Sequence, residues 1–137
     1  MNELPILLND FRQAVFRLSD ALAQTENEFI RDACIQRFEF CFELAWKSVR
    51  AVAGSYGQEC QSPRMAFALA LRNGWIADEA GWLDMLEARN KTSHTYRESM
   101  AKEVFAELPR FAKYLDLLQQ TLNDKLHRIK EGELKYE

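Results

Sequence analysis

Glycine and proline are scarce in this chain, with five and three in 137 residues, together about half of the usual ~12%. An all-β fold turns often and draws on both residues to do so. The shortage therefore excludes a many-stranded architecture and favours long helices. Cysteine is also scarce: Cys34, Cys41 and Cys60 are the only three, and they form no CxxC. Cys34 and Cys41 share one helical stretch seven residues apart, ~10 Å at 1.5 Å per residue, whereas a disulfide joins Cα atoms ~4.4–6.8 Å apart. They read as small apolar side chains in a reducing compartment. There is no HExxH or other paired ligand spacing either, so neither a metal nor another built-in cofactor is expected.

Excess positive charge is missing as well. Eighteen Lys and Arg stand against 21 Asp and Glu, a net charge of −3, which argues against holding polyanions over the whole surface. No run approaches the ~18 apolar residues of a membrane span. The start, MNELPILLNDF, carries acids where a signal peptide carries lysines. The expectation is a soluble cytoplasmic protein with no membrane partner.

What the chain does have is 47% apolar residues at helical spacing, enough for one core over residues 1–137. Phe11, Val15, Leu18 and Leu22 place one stripe on a helix expected over Leu7 to Gln24. The next, Glu28 to Ala53, has two apolar faces. Ile30, Cys34, Phe38, Cys41, Ala45 and Val49 form one, and Ile35, Phe42 and Trp46 form the other. Its narrow polar strip is Asp32, Gln36, Glu39, Glu43, Lys47 and Arg50. Such a helix must be covered on more than one side, by its own chain or by a second copy. Ser62-Pro63 caps and opens a short helix that Gly74 stops, and Asp78 caps another with Trp82, Leu83, Met85 and Leu86 on its buried side. A last helix runs from Glu98 to about Ile129, divided or bent at Pro109, with a frayed charged tail after Lys130. About five helices in one up-and-down four-helix-type bundle are expected, an all-α domain.

The segment Arg89-Asn-Lys-Thr-Ser-His-Thr-Tyr-Arg97 stands out, with three basic residues and no acid in a chain of net −3. Thr92-Ser93 offers an earlier helix end; if instead the helix persists through Tyr96, Trp82, Met85, Arg89, Ser93 and Tyr96 share one face. Leu86, Asn90, His94 and Arg97 share the adjacent one, while Lys91, Thr92 and Thr95 point elsewhere. A buried face that turns polar suggests a cleft for an anion. Arginine offers a planar donor fork for phosphate oxygens, and histidine can move protons near neutral pH. RNA brings its own nucleophile, the 2′-OH, so its phosphodiester can be cleaved without a metal. One histidine cannot easily serve as both base and acid in one step, but a two-fold dimer would bring a second. The plain alternative is a capping or packing histidine at a helix end. Two readings stand elsewhere: Glu39, Glu43 and Lys47 could contribute to the cleft but read first as a surface salt-bridge ladder, Trp46, Trp75 and Trp82 could stack bases but read first as packing anchors, and His127 is a terminal-helix residue with no role.

Taken together, Arg89-Asn90-x-x-x-His94-x-Tyr96 resembles the R-N-x3-H-x-Y signature of the HEPN superfamily, and more closely the bacterial and archaeal nucleotidyltransferase substrate-binding proteins. The likeness extends through Gln36–Lys47, Ser62-Pro63-Arg64 and Trp82–Tyr96, while Arg97-Glu98 departs from the acidic start expected after the tyrosine. The resemblance implies a homodimeric HEPN-like bundle with a cleft near the two-fold axis. It implies a metal-independent endoribonuclease, the toxin of a toxin–antitoxin pair whose partner is a minimal nucleotidyltransferase encoded nearby. Carried over by position, Arg89 and His94 are the catalytic pair acting on RNA, Asn90 and Ser93 are polar support, and Tyr96 is the hydroxyl that the nucleotidyltransferase modifies with AMP. The alternative is a non-catalytic subunit that presents a substrate or nucleotide to the nucleotidyltransferase.

Overall fold

The structure, a computed structural model, describes the backbone of residues 3–136 and the side chains of residues 3–132. Five α-helices and one 3₁₀ turn follow in order: α1 (Glu3–Leu22), α2 (Glu28–Ser55), α3 (Pro63–Arg72), α4 (Glu79–Lys91), the turn Thr92–His94, and α5 (Glu98–Tyr136). Side-chain caps explain three of the starts. Asn27 Oδ1 accepts from the Ile30 amide at 2.9 Å, Ser62 Oγ from Met65 at 3.2 Å and Asp78 Oδ1 from Gly81 at 3.0 Å, each satisfying an amide that the first helical turn leaves without a partner. Gly74, at φ +75°, ends α3. There the Trp75 amide turns back to the Ala70 carbonyl at 2.8 Å, a left-handed closure that a side chain would strain.

α2 lies at the centre. Its Phe38 stacks on Phe111 of α5, with ring centroids 5.6 Å apart, and its Phe42 meets Phe67 of α3 edge-on at 5.6 Å. On the α1 side, Arg37 Nη1 donates to the Arg17 carbonyl at 2.7 Å. Cys34, Phe38, Cys41, Ala45 and Val49 are fully buried, and Ile35 and Phe42 nearly so. Both apolar faces are thus covered by α1, α3 and α5 of the same chain. The chain's own helices therefore cover these two faces, while Phe29 and Phe40 of α2 remain exposed.

Direction alternates through the four long helices. α4 runs antiparallel to α5, as Asp78–Tyr114, Asp84–Arg110 and Lys91–Glu103 pair in reverse order. α2 runs parallel to α5, with Arg31–Glu98 near their starts and Phe38–Phe111 farther on. The short α3 lies in the connection between α2 and α4.

Three expectations change. Pro109 does not divide the last helix: α5 is continuous across it and on to Tyr136. The amide that proline lacks removes one rung, but Leu108 and Phe111 on either side are buried and hold the helix in place. Leu83 is exposed, while Trp82, Met85 and Ala88 form the buried edge of α4, because steps of three keep to the side facing the bundle. The helix containing the motif ends at Lys91 rather than running through Tyr96. All three cysteines are buried and free, and burial pushes the Cys41 thiol up to about 12. Among the described residues no helix is long and apolar enough to cross a membrane.

α4 is fastened to α5 at Asp78. Its carboxylate accepts from Tyr114 Oη at 2.5 Å and from the Gly81 amide, and these two bonds hold it below the ordinary carboxylate value, while the same Asp78 contact raises Tyr114. Gly81 makes room for the arrangement, since a Cβ there would sit 2.8 Å from the Tyr114 ring and 2.9 Å from Asp78.

Two outcomes follow. Phe38→Ala should lower unfolding stability by about 3–5 kcal/mol in a denaturant titration, the usual cost of emptying a buried phenylalanine site. The Asp78–Tyr114 bond needs an ionised carboxylate and a protonated phenol. A lowered folded-state Asp loses its contribution as pH falls through its folded pKa, below about 3.9, and a raised Tyr loses its contribution as pH rises through its folded pKa, above about 10. The stability difference between the parent protein and Tyr114→Phe should therefore be largest between those limits and shrink outside both. Gly81→Ala should remove the same pH-dependent increment, because its methyl displaces the Tyr114 ring. A difference flat across pH would refute this fastening.

Candidate functional site

Helix α4 stops because hydroxyl groups take over its last carbonyls. Thr92 Oγ1 donates to the Arg89 carbonyl at 2.7 Å, Ser93 Oγ to the Asn90 carbonyl at 3.1 Å and Thr95 Oγ1 to the Thr92 carbonyl at 2.9 Å. Three hydroxyls bonded back over one turn favour the tighter 3₁₀ geometry seen at Thr92–His94. The Arg97 amide then reaches the His94 carbonyl at 3.1 Å, and α5 begins at Glu98.

This termination changes how the motif residues are presented. Arg89, in the last turn of α4, is half-buried against α2. Its Nη1 donates to Thr92 Oγ1 at 2.9 Å and lies 3.7 Å from Glu39 Oε2, and its Nη2 lies 3.6 Å from Glu43 Oε1. Both carboxylate distances exceed the ~2.7–3.2 Å of a hydrogen bond. The guanidinium is therefore held by charge rather than by donated hydrogen bonds to the acids, and its buried Nε has no hydrogen-bond partner among the described residues. Partly exposed pairs of this kind contribute ~0–1 kcal/mol each, little enough for an incoming anion to displace.

His94, which ends the turn, and Tyr96, just beyond it, lie on the surface. Their rings meet edge-to-face with centroids 6.1 Å apart, and Tyr96 is 75% exposed. The Arg97 guanidinium lies 5.7 Å from the Tyr96 ring centroid, within cation–π range. Asn90 and Ser93 are exposed, and the Ser93 hydroxyl is engaged by the Asn90 carbonyl. Arg89 and Tyr96 thus do not share one α-helical stripe; the turn carries His94 and Tyr96 past the end of α4.

Three residues read plainly in the sequence belong to this site. The spacing of Glu39 and Glu43 with Lys47 predicts a surface ladder. Glu43 does lie 4.0 Å from Lys47 Nζ, but both acids face Arg89, and Glu43 also accepts from Trp46 Nε1 at 3.1 Å. Thr92, expected to point away, is 6% exposed and both donates to and accepts from Arg89. Its signal was the hydroxyl three residues after the arginine. The local positive charge is also offset: Lys91 pairs with Glu103 at 3.0 Å and Glu87 at 3.7 Å, and Glu103 raises its pKa. Among the described residues, no three His, Cys, Asp or Glu side chains gather to hold an ion. Between α2 and the turn there is a hollow of about 490 Å³ lined by Asp32, Ala33, Ile35, Gln36, Glu39, Thr95 and Tyr96.

Comparison with known proteins identifies the family. A family model described as nucleotidyltransferase substrate binding protein like matches residues 7–124. A curated Haemophilus influenzae protein named "Probable ribonuclease HepT" is 29% identical over 126 residues, 81% of this chain and 83% of that protein. A crystal structure of a Thermus thermophilus protein superposes with a TM-score of 0.77 at 33% identity, covering 82% of this chain and 98% of the other. A Haemophilus influenzae structure described as revealing the fold of a substrate binding domain of a nucleotidyltransferase superposes with a TM-score of 0.66 at 27% identity, over 89% of this chain and 98% of that one. With its motif intact and a family match running from α1 into α5, the chain belongs to the nucleotidyltransferase substrate binding protein family.

Proposed function

We propose that this protein is a metal-independent endoribonuclease, the toxin of a toxin–antitoxin pair, acting as a homodimer and silenced by AMP transfer from a partner nucleotidyltransferase. The observation that carries the reading is the state of Arg89: a guanidinium held on α2, five residues before an exposed histidine that meets an exposed tyrosine, yet not hydrogen-bonded by the acids that hold it. A phosphate entering there would replace weak pairs with charge-assisted hydrogen bonds from a planar fork. The name of the Haemophilus relative supports RNA as the substrate class, and the family description supports a nucleotidyltransferase partner.

In this mechanism the ribose 2′-OH attacks the adjacent phosphorus and passes its proton to His94. Arg89 stabilises the charge that builds on the non-bridging oxygens. The bond to the 5′-oxygen breaks, leaving a 2′,3′-cyclic phosphate, and His94 of a second copy gives the leaving oxygen its proton. Asn90 and Ser93, on the same turn, supply polar support. Silencing uses the Tyr96 phenol, which attacks the α-phosphate of ATP and releases pyrophosphate. The 75% exposure of Tyr96 suits that attack. The attached AMP would stand beside His94 and place a phosphate where the RNA phosphate must lie.

A second reading is that of a non-catalytic subunit that binds a substrate or nucleotide for the nucleotidyltransferase. Glu39 and Glu43 favour it for a substrate that is not itself anionic, because two carboxylates outweigh the one charge of Arg89.

His94→Ala should lower cleavage of RNA by about 10²–10⁴-fold, the usual loss of a proton-transfer group, with cleavage by the parent unaffected by a metal chelator. Arg89→Ala should cause a comparable loss; circular dichroism would confirm its fold, since it also frees Glu39 and Glu43. Undiminished cleavage by both variants would reject Arg89 and His94 as the catalytic pair, and no cleavage by the parent protein would favour the binding subunit. Incubation with the partner and ATP should add AMP to the intact mass and stop cleavage, and neither change should occur in Tyr96→Phe. An AMP increment that persists in Tyr96→Phe would place the acceptor elsewhere.

A further inference from the structure

We infer that the hollow between α2 and the Thr92–His94 turn is a nucleobase site, which holds the base next to the cleaved phosphate and selects bases bearing an exocyclic amine over uracil. This rests on the ribonuclease reading above. The site has the parts a single unstacked base requires. Its volume of about 490 Å³ admits a purine or a pyrimidine. Ile35, 3% exposed, and the half-buried Ala33 give it an apolar floor. The exposed Tyr96 ring offers a face for stacking, as single-strand binders commonly do. Glu39 connects it to the phosphate position, since it lines the hollow and also lies 3.7 Å from Arg89. Base and phosphate of one nucleotide are joined through a single sugar, so a base site must adjoin a phosphate site.

Selectivity follows from the rim. Asp32, Gln36 and Glu39 line the α2 side. Asp32 and Gln36 are exposed and have no hydrogen-bond or ion-pair partner among the described residues. Ionised carboxylates only accept hydrogen bonds, whereas the glutamine amide both donates and accepts. Adenine, cytosine and guanine each carry an amine that can donate to such a rim, while uracil presents one N–H flanked by two carbonyl oxygens. Those oxygens would face carboxylate oxygens, with repulsion in place of a bond, and such unpaired or opposed polar groups are where discrimination is strongest.

The test uses 2′-O-methyl octamers of adenine, cytosine or uracil, which lack the free 2′-OH and so cannot be cut, with affinity read by fluorescence anisotropy. Cytosine against uracil is the decisive pair, because the two rings stack over similar area. The cytosine octamer should bind about tenfold more tightly than the uracil octamer, the scale of one well-made base contact. Asp32→Asn should narrow that ratio to within about twofold by raising uracil affinity, since the new amide donates to a uracil carbonyl. Gln36→Ala should weaken the adenine and cytosine octamers more than the uracil octamer. Equal binding of cytosine and uracil by the parent protein, or a ratio unchanged in both variants, would overturn the nucleobase site while leaving the ribonuclease reading intact. Base-selective binding without any cleavage of ordinary RNA would sustain the site and reject the ribonuclease. Failure to bind any octamer would overturn both.

Discussion

A helix that is apolar around most of its circumference is stable only at the centre of a bundle, and α2 imposes that constraint on this protein. Phe38 and Phe42 point to different neighbours, α5 and α3, and α1 closes a further side. Besides the exposed Phe29 and Phe40, what remains open to solvent is the narrow polar strip that includes Asp32, Gln36, Glu39 and Glu43. Polar groups concentrated on one strip of an otherwise buried helix have a fixed direction, because rotating the helix would bury them and expose phenylalanines. The rest of the site is built against that strip.

The second determinant is where α4 ends. A few more residues of regular helix would have placed Tyr96 on the bundle's own stripe with Met85 and Trp82, and His94 on the adjacent face with Leu86. Instead Thr92, Ser93 and Thr95 bond back to carbonyls and tighten the chain into a 3₁₀ turn. Arg89 stays docked on α2 while His94 and Tyr96 reach the surface. Thr92 joins the two parts, since its one hydroxyl closes the helix end and accepts from the Arg89 side chain.

Charge is distributed in the same local manner. The chain carries a net −3, and the basic residues of the motif are largely matched by acids from other elements, Glu39 and Glu43 for Arg89, and Glu87 and Glu103 for Lys91. A site of this kind does not attract nucleic acid over a broad surface. It can accept one phosphate by exchange, because the pairs at Arg89 are longer than hydrogen bonds and partly exposed, and so are weak enough to give way.

The amino-acid sequence by itself determined the helical class, the single core, the caps at Ser62 and Asp78 and the stop at Gly74. Each of these depends on spacing or on residues within one turn, and such interactions are local. It also pointed to Arg89, His94 and Tyr96 through one short motif. It could not show that Glu39 and Glu43, about fifty residues before Arg89, face that arginine, because an i, i+4 pattern on a helix looks the same whether its partners are Lys47 or a residue of another helix. Nor could spacing decide what covers the two apolar faces of α2; only the placement of α1, α3 and α5 around it did. The end of α4 lay between the two cases, since the threonines were visible in the sequence, but the tight turn also depends on α5 starting at Glu98 and packing back against α4. The tertiary structure decided what distant segments do to one another, and the site is a meeting of two such segments.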